Sequence, residues 1–255
     1  MRSITRKSMI NKSAVPSLDH AMNPVQGCAH GCRYPCYAFM MAKHFGRVRN
    51  YEDWISPAIV SNTLELVEKD LKRKRDNIKH VQLCLMTDPF MEHYPQVGAV
   101  CLEAIRMINA ADIPCGILTK GRLPIELAEL DERNTYGISL SALDEDFRAK
   151  WEPGSAPYLE RIKALKNLHD RGAKTWVHIE PYPTPSIHIQ NIKELLEAVS
   201  FVDSIDLLPW NYSPMTTRYP DAAGFYRAMN EETETFCLER GIEFKQLSRA
   251  NRRLL

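Results

Sequence analysis

His80-Val-Gln-Leu-Cys-Leu-Met86, an amphipathic run over 95–111 and Ile113-Pro-Cys-Gly-Ile-Leu118 together decide the fold. The first and last segments are short apolar runs bounded by polar or proline-containing turns, and they read as strands. Between them Val97, Cys101, Ala104, Ile105 and Ile108 recur at helical spacing and form one apolar stripe. Strand, helix and strand with short connections is the unit of a parallel sheet, because a parallel return needs a crossover long enough to hold a helix.

The unit repeats outward in both directions. Toward the N-terminus, residues 57–75 place Val60, Leu64, Val67 and Leu71 on one helical face and end in the cationic Lys72-Arg-Lys-Arg75, which suits a helix C-terminus. Tyr37-Ala-Phe-Met-Met-Ala-Lys-His-Phe45 reads as a short helix stopped at Gly46, and an opening strand is expected near 21–26. Toward the C-terminus come a short helix at 124–131, a strand at Thr135–Ser141 and a helix at 157–171. That helix has Pro157 in its first turn and Leu159, Ile162, Leu165 and Leu168 on one face. A strand at Lys174–Glu180, a helix at 189–201, a strand at Ser204–Leu208, a helix at 221–240 and a last strand at Ile242–Gln246 complete the series. Six units are strong and a seventh is weaker, short of the eight of a closed barrel. The expected class is α/β: an incomplete (β/α)6 barrel with parallel strands and outer helices. Residues 1–20 read as an N-terminal arm, 21–210 as the partial barrel and 211–255 as a C-terminal extension completing the domain.

The 255 residues are 44% hydrophobic and 25% charged, enough for a normal core. A net charge of +1 supplies no strong global field for a polyanion. The basic N-terminus lacks a signal-peptide apolar run and no stretch approaches a membrane span, so a cytoplasmic protein without a membrane partner is expected. Three of the seven cysteines are clustered, which reads as metal binding rather than a disulfide framework.

Those three lie in Cys28-Ala-His-Gly-Cys32-Arg-Tyr-Pro-Cys36-Tyr37, with three residues between each neighbouring pair. Gly27 and Gly31 permit the tight loop that aims all three sulfurs at one point. Three thiolates are one short of the usual set for structural zinc or a fully ligated iron–sulfur cluster. A three-thiolate cubane leaves one iron open. The alternative is zinc with His30 or His44 as fourth ligand, giving a zinc-stabilised (β/α) binding protein without redox chemistry. Polar residues mark the expected strand ends, where parallel α/β folds place their ligands. They are Thr87 and Asp88, Thr119 and Lys120, Ser139 and Ser141, and His178 and Glu180 on one face at period two.

The cysteine loop and the Asn23-Pro24-Val-Gln-Gly27 ahead of it resemble the radical S-adenosylmethionine (SAM) superfamily, and within it the spore photoproduct lyase-like branch. Thr87-Asp88-Pro89-Phe90, Thr119-Lys120 and Glu152-Pro-Gly-Ser-Ala-Pro157 with Arg161 resemble further segments of that branch. Two departures stand out. The last cysteine spacing is three residues rather than two. Leu85 occupies the position of the branch's hydrogen-donor cysteine, and Cys84 lies one residue earlier, on the other strand face.

The resemblance implies a radical-SAM-type barrel in which Cys28, Cys32 and Cys36 hold a 4Fe–4S cluster whose open iron binds SAM. Reductive cleavage then gives a 5′-deoxyadenosyl radical that abstracts hydrogen from a substrate. Carried over by position, Lys120 meets the SAM carboxylate, Ser139 or Ser141 the ribose, Thr87 and Asp88 the methionine amino group, and Tyr37 the adenine. Arg161 supports the carboxylate or the loop near Glu152, and His178 and Glu180 line the same pocket. A reductant such as flavodoxin or ferredoxin is implied. The branch, the loop aromatics Tyr182, Trp210, Tyr212 and Tyr219, and the basic Arg218, Lys245, Arg249, Arg252 and Arg253 put a nucleic-acid lesion or modified base among the candidate substrates. A peptide, a small metabolite and a partner protein activated through a glycyl radical are the others. Cys84, Cys101, Cys115 and Cys237 read as core residues.

Overall fold

The computed structural model describes residues 1–245, so Gln246, Arg249, Arg252 and Arg253 lie outside the described residues. Seven parallel strands cross one sheet in sequence order. They are β1 (His20–Met22), β2 (Val81–Leu83), β3 (Cys115–Thr119), β4 (Thr135–Leu140), β5 (Lys174–Tyr182), β6 (Ser204–Pro209) and β7 (Glu243–Phe244). Asn11–Lys12 adds an antiparallel edge beside β1. Among the described residues the two edges do not pair, so this is a partial barrel: the six strong strands plus a two-residue seventh.

The connections carry α1 (Tyr37–His44), α2 (Thr63–Lys74), α3 (Pro95–Ala110), α4 (Glu145–Trp151), α5 (Tyr158–His169), α6 (Ile192–Ala198) and α7 (Ala222–Arg240). Each longer helix buries one stripe. On α3 that stripe is Val97, Cys101, Ala104, Ile105 and Ile108, as the periodicity predicts. The strands show the other period. Along β5, Val177 and Ile179 are buried while Trp176, His178 and Glu180 on the opposite face are only half-buried.

Several elements differ from expectation. The helix predicted over 57–75 starts only at Thr63. Ala58–Val60 is instead a strand between Arg2–Ile4 and Val25–Gln26, because both segments offer backbone partners to its β-branched residues. Residues 124–131 contain a 3₁₀ turn at Ile125–Glu129 rather than an α-helix. Helix α4 escapes the apolar pattern, yet Asp144 caps it by accepting from the Asp146 and Phe147 amides. On α5, Leu159 is 65% exposed, and the inward stripe is Tyr158, Arg161, Ile162, Leu165 and Leu168. Residues 1–20 contribute the buried Met9 and Ile10, whose amides both donate to Asp70 Oδ2 on α2, at 2.7 and 2.9 Å.

Candidate active site

The cysteine loop leaves β1 and is fastened on two sides. Gly27 has φ +89°, and a Cβ there would meet Trp54 O at 2.5 Å. The Cys28 amide donates to that same Trp54 carbonyl at 2.9 Å. On the other side the Arg33 amide donates to Trp151 O and the Gly154 amide to His30 O. A Cβ on Gly154 would meet Ala29 O at 2.2 Å, so the loop lies directly on the segment that carries Glu152. Cys28, Cys32 and Cys36 are half-buried free thiols. Burial pushes all three up from the ordinary thiol value, Cys32 to about 12 with the Glu152 carboxylate adding to the effect. Metal-free, the loop is therefore protonated, and a bound metal must displace those protons.

The donor set speaks to the two metal readings. His30 is 2% exposed. Its Nε2 lies 2.8 Å from Asp88 Oδ2, a close contact rather than an aligned hydrogen bond, and its Nδ1 lies 3.1 Å from Gly154 O. Both nitrogens thus face protein oxygens, those of Asp88 and Gly154. His44 sits exposed at the end of α1 with its ring against Phe45. Among the described residues, no three His, Cys, Asp or Glu side chains gather closely enough to share one metal ion. A cubane differs, because each thiolate binds a different iron. The loop's chemistry fits a three-thiolate cluster.

Next to the loop, the strand ends hold a continuous polar network. Asp88 is buried, and its oxygens accept from the Phe90 amide, Thr119 Oγ1 and the Lys120 amide at 2.7–2.8 Å. Burial opposes its charge, but His30 and these donors outweigh burial and keep its pKa below the ordinary value. Lys120 Nζ donates to Ser139 Oγ and Glu152 Oε1, both at 2.7 Å, and reaches Glu180 O at 3.4 Å. Glu152 is fully buried and also accepts from Ser141 Oγ at 3.2 Å and Tyr34 Oη at 2.9 Å. Arg161, also fully buried, donates to Glu152 Oε2 at 2.9 Å, to the Ala156 and Ser139 carbonyls at 2.7 Å and to Ser155 Oγ. Burial alone would raise the Glu152 carboxyl; Lys120 and Arg161 instead hold it well below the usual carboxylate range.

A second row crosses three strands. Ser139 on β4, His178 on β5 and Asp206 on β6 stand in register. His178 Nδ1 lies 2.5 Å from Asp206 Oδ1, and its Nε2 lies 2.5 Å from Glu180 Oε2. Burial disfavours charge on His178, but the two carboxylates raise its pKa to about 10, so it is imidazolium at neutral pH. Below it, Trp176 occupies space left by Gly137, where a Cβ would meet the indole at 2.3 Å.

The structure thus brings Asp88, Lys120, Ser139, Ser141, Glu152, Arg161 and the Glu180 carbonyl into one hydrogen-bonded set beside the cysteine loop. Thr87 is half-buried in the turn after β2, near Asn23, and Tyr37 opens α1. Tyr182 and Trp210 are core residues at 1% and 0% exposure, whereas Tyr212 is 45% exposed. Cys84 is buried, and Leu85 is the more exposed of the pair. Three participants escape the sequence reading: Tyr34, the His30–Asp88 contact and Asp206. Asp206 has the inward parity of its strand, which is the available signal. A cavity of about 330 Å³ beside Phe90, Tyr94 and Arg122 contains none of these groups, so the site is defined by its donors rather than by cavity size.

Residues 22–202 match the family described as the radical SAM superfamily. The chain belongs to that superfamily. It is 25% identical over 194 residues to an uncharacterized protein of Methanocaldococcus jannaschii, covering 74% of this chain and 70% of the relative. Its fold is similar to a single-residue mutant of spore photoproduct lyase, with TM-score 0.71, 13% identity and coverage of 96% of this chain and 81% of that one. A second lyase mutant, solved with bound SAM and dinucleoside spore photoproduct, superposes with TM-score 0.62 and 17% identity, covering 85% of this chain. The chain spans 65% of that lyase's length. Enzymes of this superfamily use a 4Fe–4S cluster and SAM as cofactors and generally need an electron donor and a substrate. Among the described residues no helix is long and apolar enough to cross a membrane.

Proposed function

We propose that Cys28, Cys32 and Cys36 hold the cluster and that this enzyme cleaves SAM reductively to abstract hydrogen from a substrate. The observation that carries the reading is the pairing of three free thiols on one loop with the Lys120–Glu152 ion pair, whose carboxylate lies on the segment the loop rests upon. Held by these cysteines, a 4Fe–4S cluster would supply the electron for reductive cleavage of SAM and so the hydrogen-abstracting chemistry.

The chain's own residues then bind and orient. Lys120 offers its ammonium to the SAM carboxylate by exchanging the donor it gives Ser139 or the Glu180 carbonyl. Glu152 and Arg161 hold that lysine at the loop. Thr87 and Asp88 flank the methionine amino group, Ser139 and Ser141 the ribose, and Tyr37 the adenine. His178 and Glu180 form the wall beyond. Residues 21–210 act as the catalytic partial barrel, with 1–20 and 211–255 as arm and extension. A cytoplasmic location and a flavodoxin or ferredoxin as reductant suit this chemistry.

For the substrate we favour a nucleic-acid lesion or modified base. The lyase-like fold, the exposed Tyr212 beside Glu180 and the exposed Arg218 support it. A net charge of +1 suits a flipped or single-stranded base better than long backbone tracking. Leu85 at the donor-cysteine position argues for a reaction other than thymine-dimer reversal.

Anaerobic reconstitution tests the whole reading. A brown protein should form 5′-deoxyadenosine from SAM under dithionite, and deuterium should pass from the true substrate into that product. A colourless, zinc-containing protein without SAM cleavage would sink the proposal and favour the binding-protein alternative.

A further inference from the structure

The interval between Cys32 and Cys36 holds one residue more than the related pattern, and the structure shows where the added length goes. Tyr34, in the middle of the interval, turns inward. Its Oη donates to the fully buried Glu152 at 2.9 Å. Its ring packs edge-on against buried Trp210, with centroids 5.1 Å apart, and Lys120 Nζ lies 5.7 Å from the ring centre. Pro35 follows it and biases Tyr34 toward extended backbone. Flanked by two thiols, Tyr34 therefore shares one carboxylate oxygen with Lys120 and Ser141.

We propose that Tyr34 is a positioning residue for the cluster, tying its ligand loop to the Glu152–Lys120 pair and raising its reduction potential. The proposal rests on the reading that the three cysteines hold the cluster. The physical argument concerns charge. Reduction adds an electron on the loop side of Glu152. Each hydrogen bond that Glu152 accepts partly neutralises its negative charge. The Tyr34 hydroxyl supplies the one such bond that comes from the loop itself. Without it, more of the carboxylate's field reaches the cluster and reduction becomes harder. Outer-shell hydrogen bonds of this kind set potentials within one cluster type.

The experiment uses the full chain, reconstituted anaerobically as wild type, Tyr34→Phe and Ser141→Ala. Iron and sulfide content are measured first, then the reduction midpoint by EPR-monitored titration. Y34F removes a single oxygen and keeps the ring that packs on Trp210. Its iron content should equal wild type, and its midpoint should fall by about 59 mV, a tenfold change in a one-electron equilibrium. S141A removes a donor to the same oxygen from farther off the loop, and should shift the midpoint the same way by less. A fully loaded Y34F with an unmoved midpoint overturns the role of Tyr34 while leaving the cluster assignment intact, even if its melting temperature drops. An iron-free wild type overturns both.

Discussion

The cysteine loop and the strand-end network touch each other but are satisfied differently. Lys120, Glu152 and Arg161 are buried or nearly so, and each has its partners within the protein. The three thiols are driven toward the neutral form by burial, which outweighs the Lys120 ammonium acting on Cys32 and Cys36. One region is satisfied as folded; the other, on the proposed reading, is completed by the cluster. The network is therefore a preformed wall against which an incomplete loop is held.

The strongest break in that contrast comes from the loop. Cys32→Ala should abolish cluster retention and lower 5′-deoxyadenosine formation to background, while the melting temperature of the metal-free protein changes little. A large loss of metal-free stability would mean that the loop belongs to the core after all. Next is Glu152→Gln, which leaves Arg161 and Lys120 facing a neutral amide in a dry setting. Removing one member of a buried ion pair costs about 3–5 kcal/mol, readable in urea unfolding. A loss below about 1 kcal/mol would show the network to be wetter and less complete than described.

The third test uses pH. The folded pKa of His178 lies at about 10, above its unfolded value of about 6.5. Its charge therefore stabilises the fold fully below about 6.5, and this contribution is lost as pH rises through about 10. Asp206→Asn should bring the His178 titration down toward neutrality, followed by imidazole NMR, and should move that alkaline loss of stability to lower pH. An unshifted titration would remove Asp206 from the row. The smallest expected effect is Ser141→Ala, about 1 kcal/mol of stability with cluster loading unchanged.

Periodicity made most of the fold legible. The α3 stripe and the alternation on β5 are local patterns, and they appear where the sequence places them. The strand at Ala58–Val60 was not legible, because its partners come from residues 2–4 and 25–26 and β pairing follows available edges. Leu159 was expected on the inward face of α5 but is exposed, and Arg161 is buried there instead. Burying a guanidinium is costly unless acceptors await it, and Glu152, Ala156 and Ser139 are assembled around it only by the folded chain.

The sequence by itself determined that three thiols share one short loop and that helices alternate with parallel strands. Those facts depend on spacing, and spacing is covalent. Only the tertiary structure decided that His30 turns to Asp88, that Asp206 meets His178 and that Tyr34 reaches Glu152. Each of these pairs joins residues far apart along the chain. Their meeting depends on sheet register and loop path, where a shift of one residue would send a strand's side chains to the opposite face.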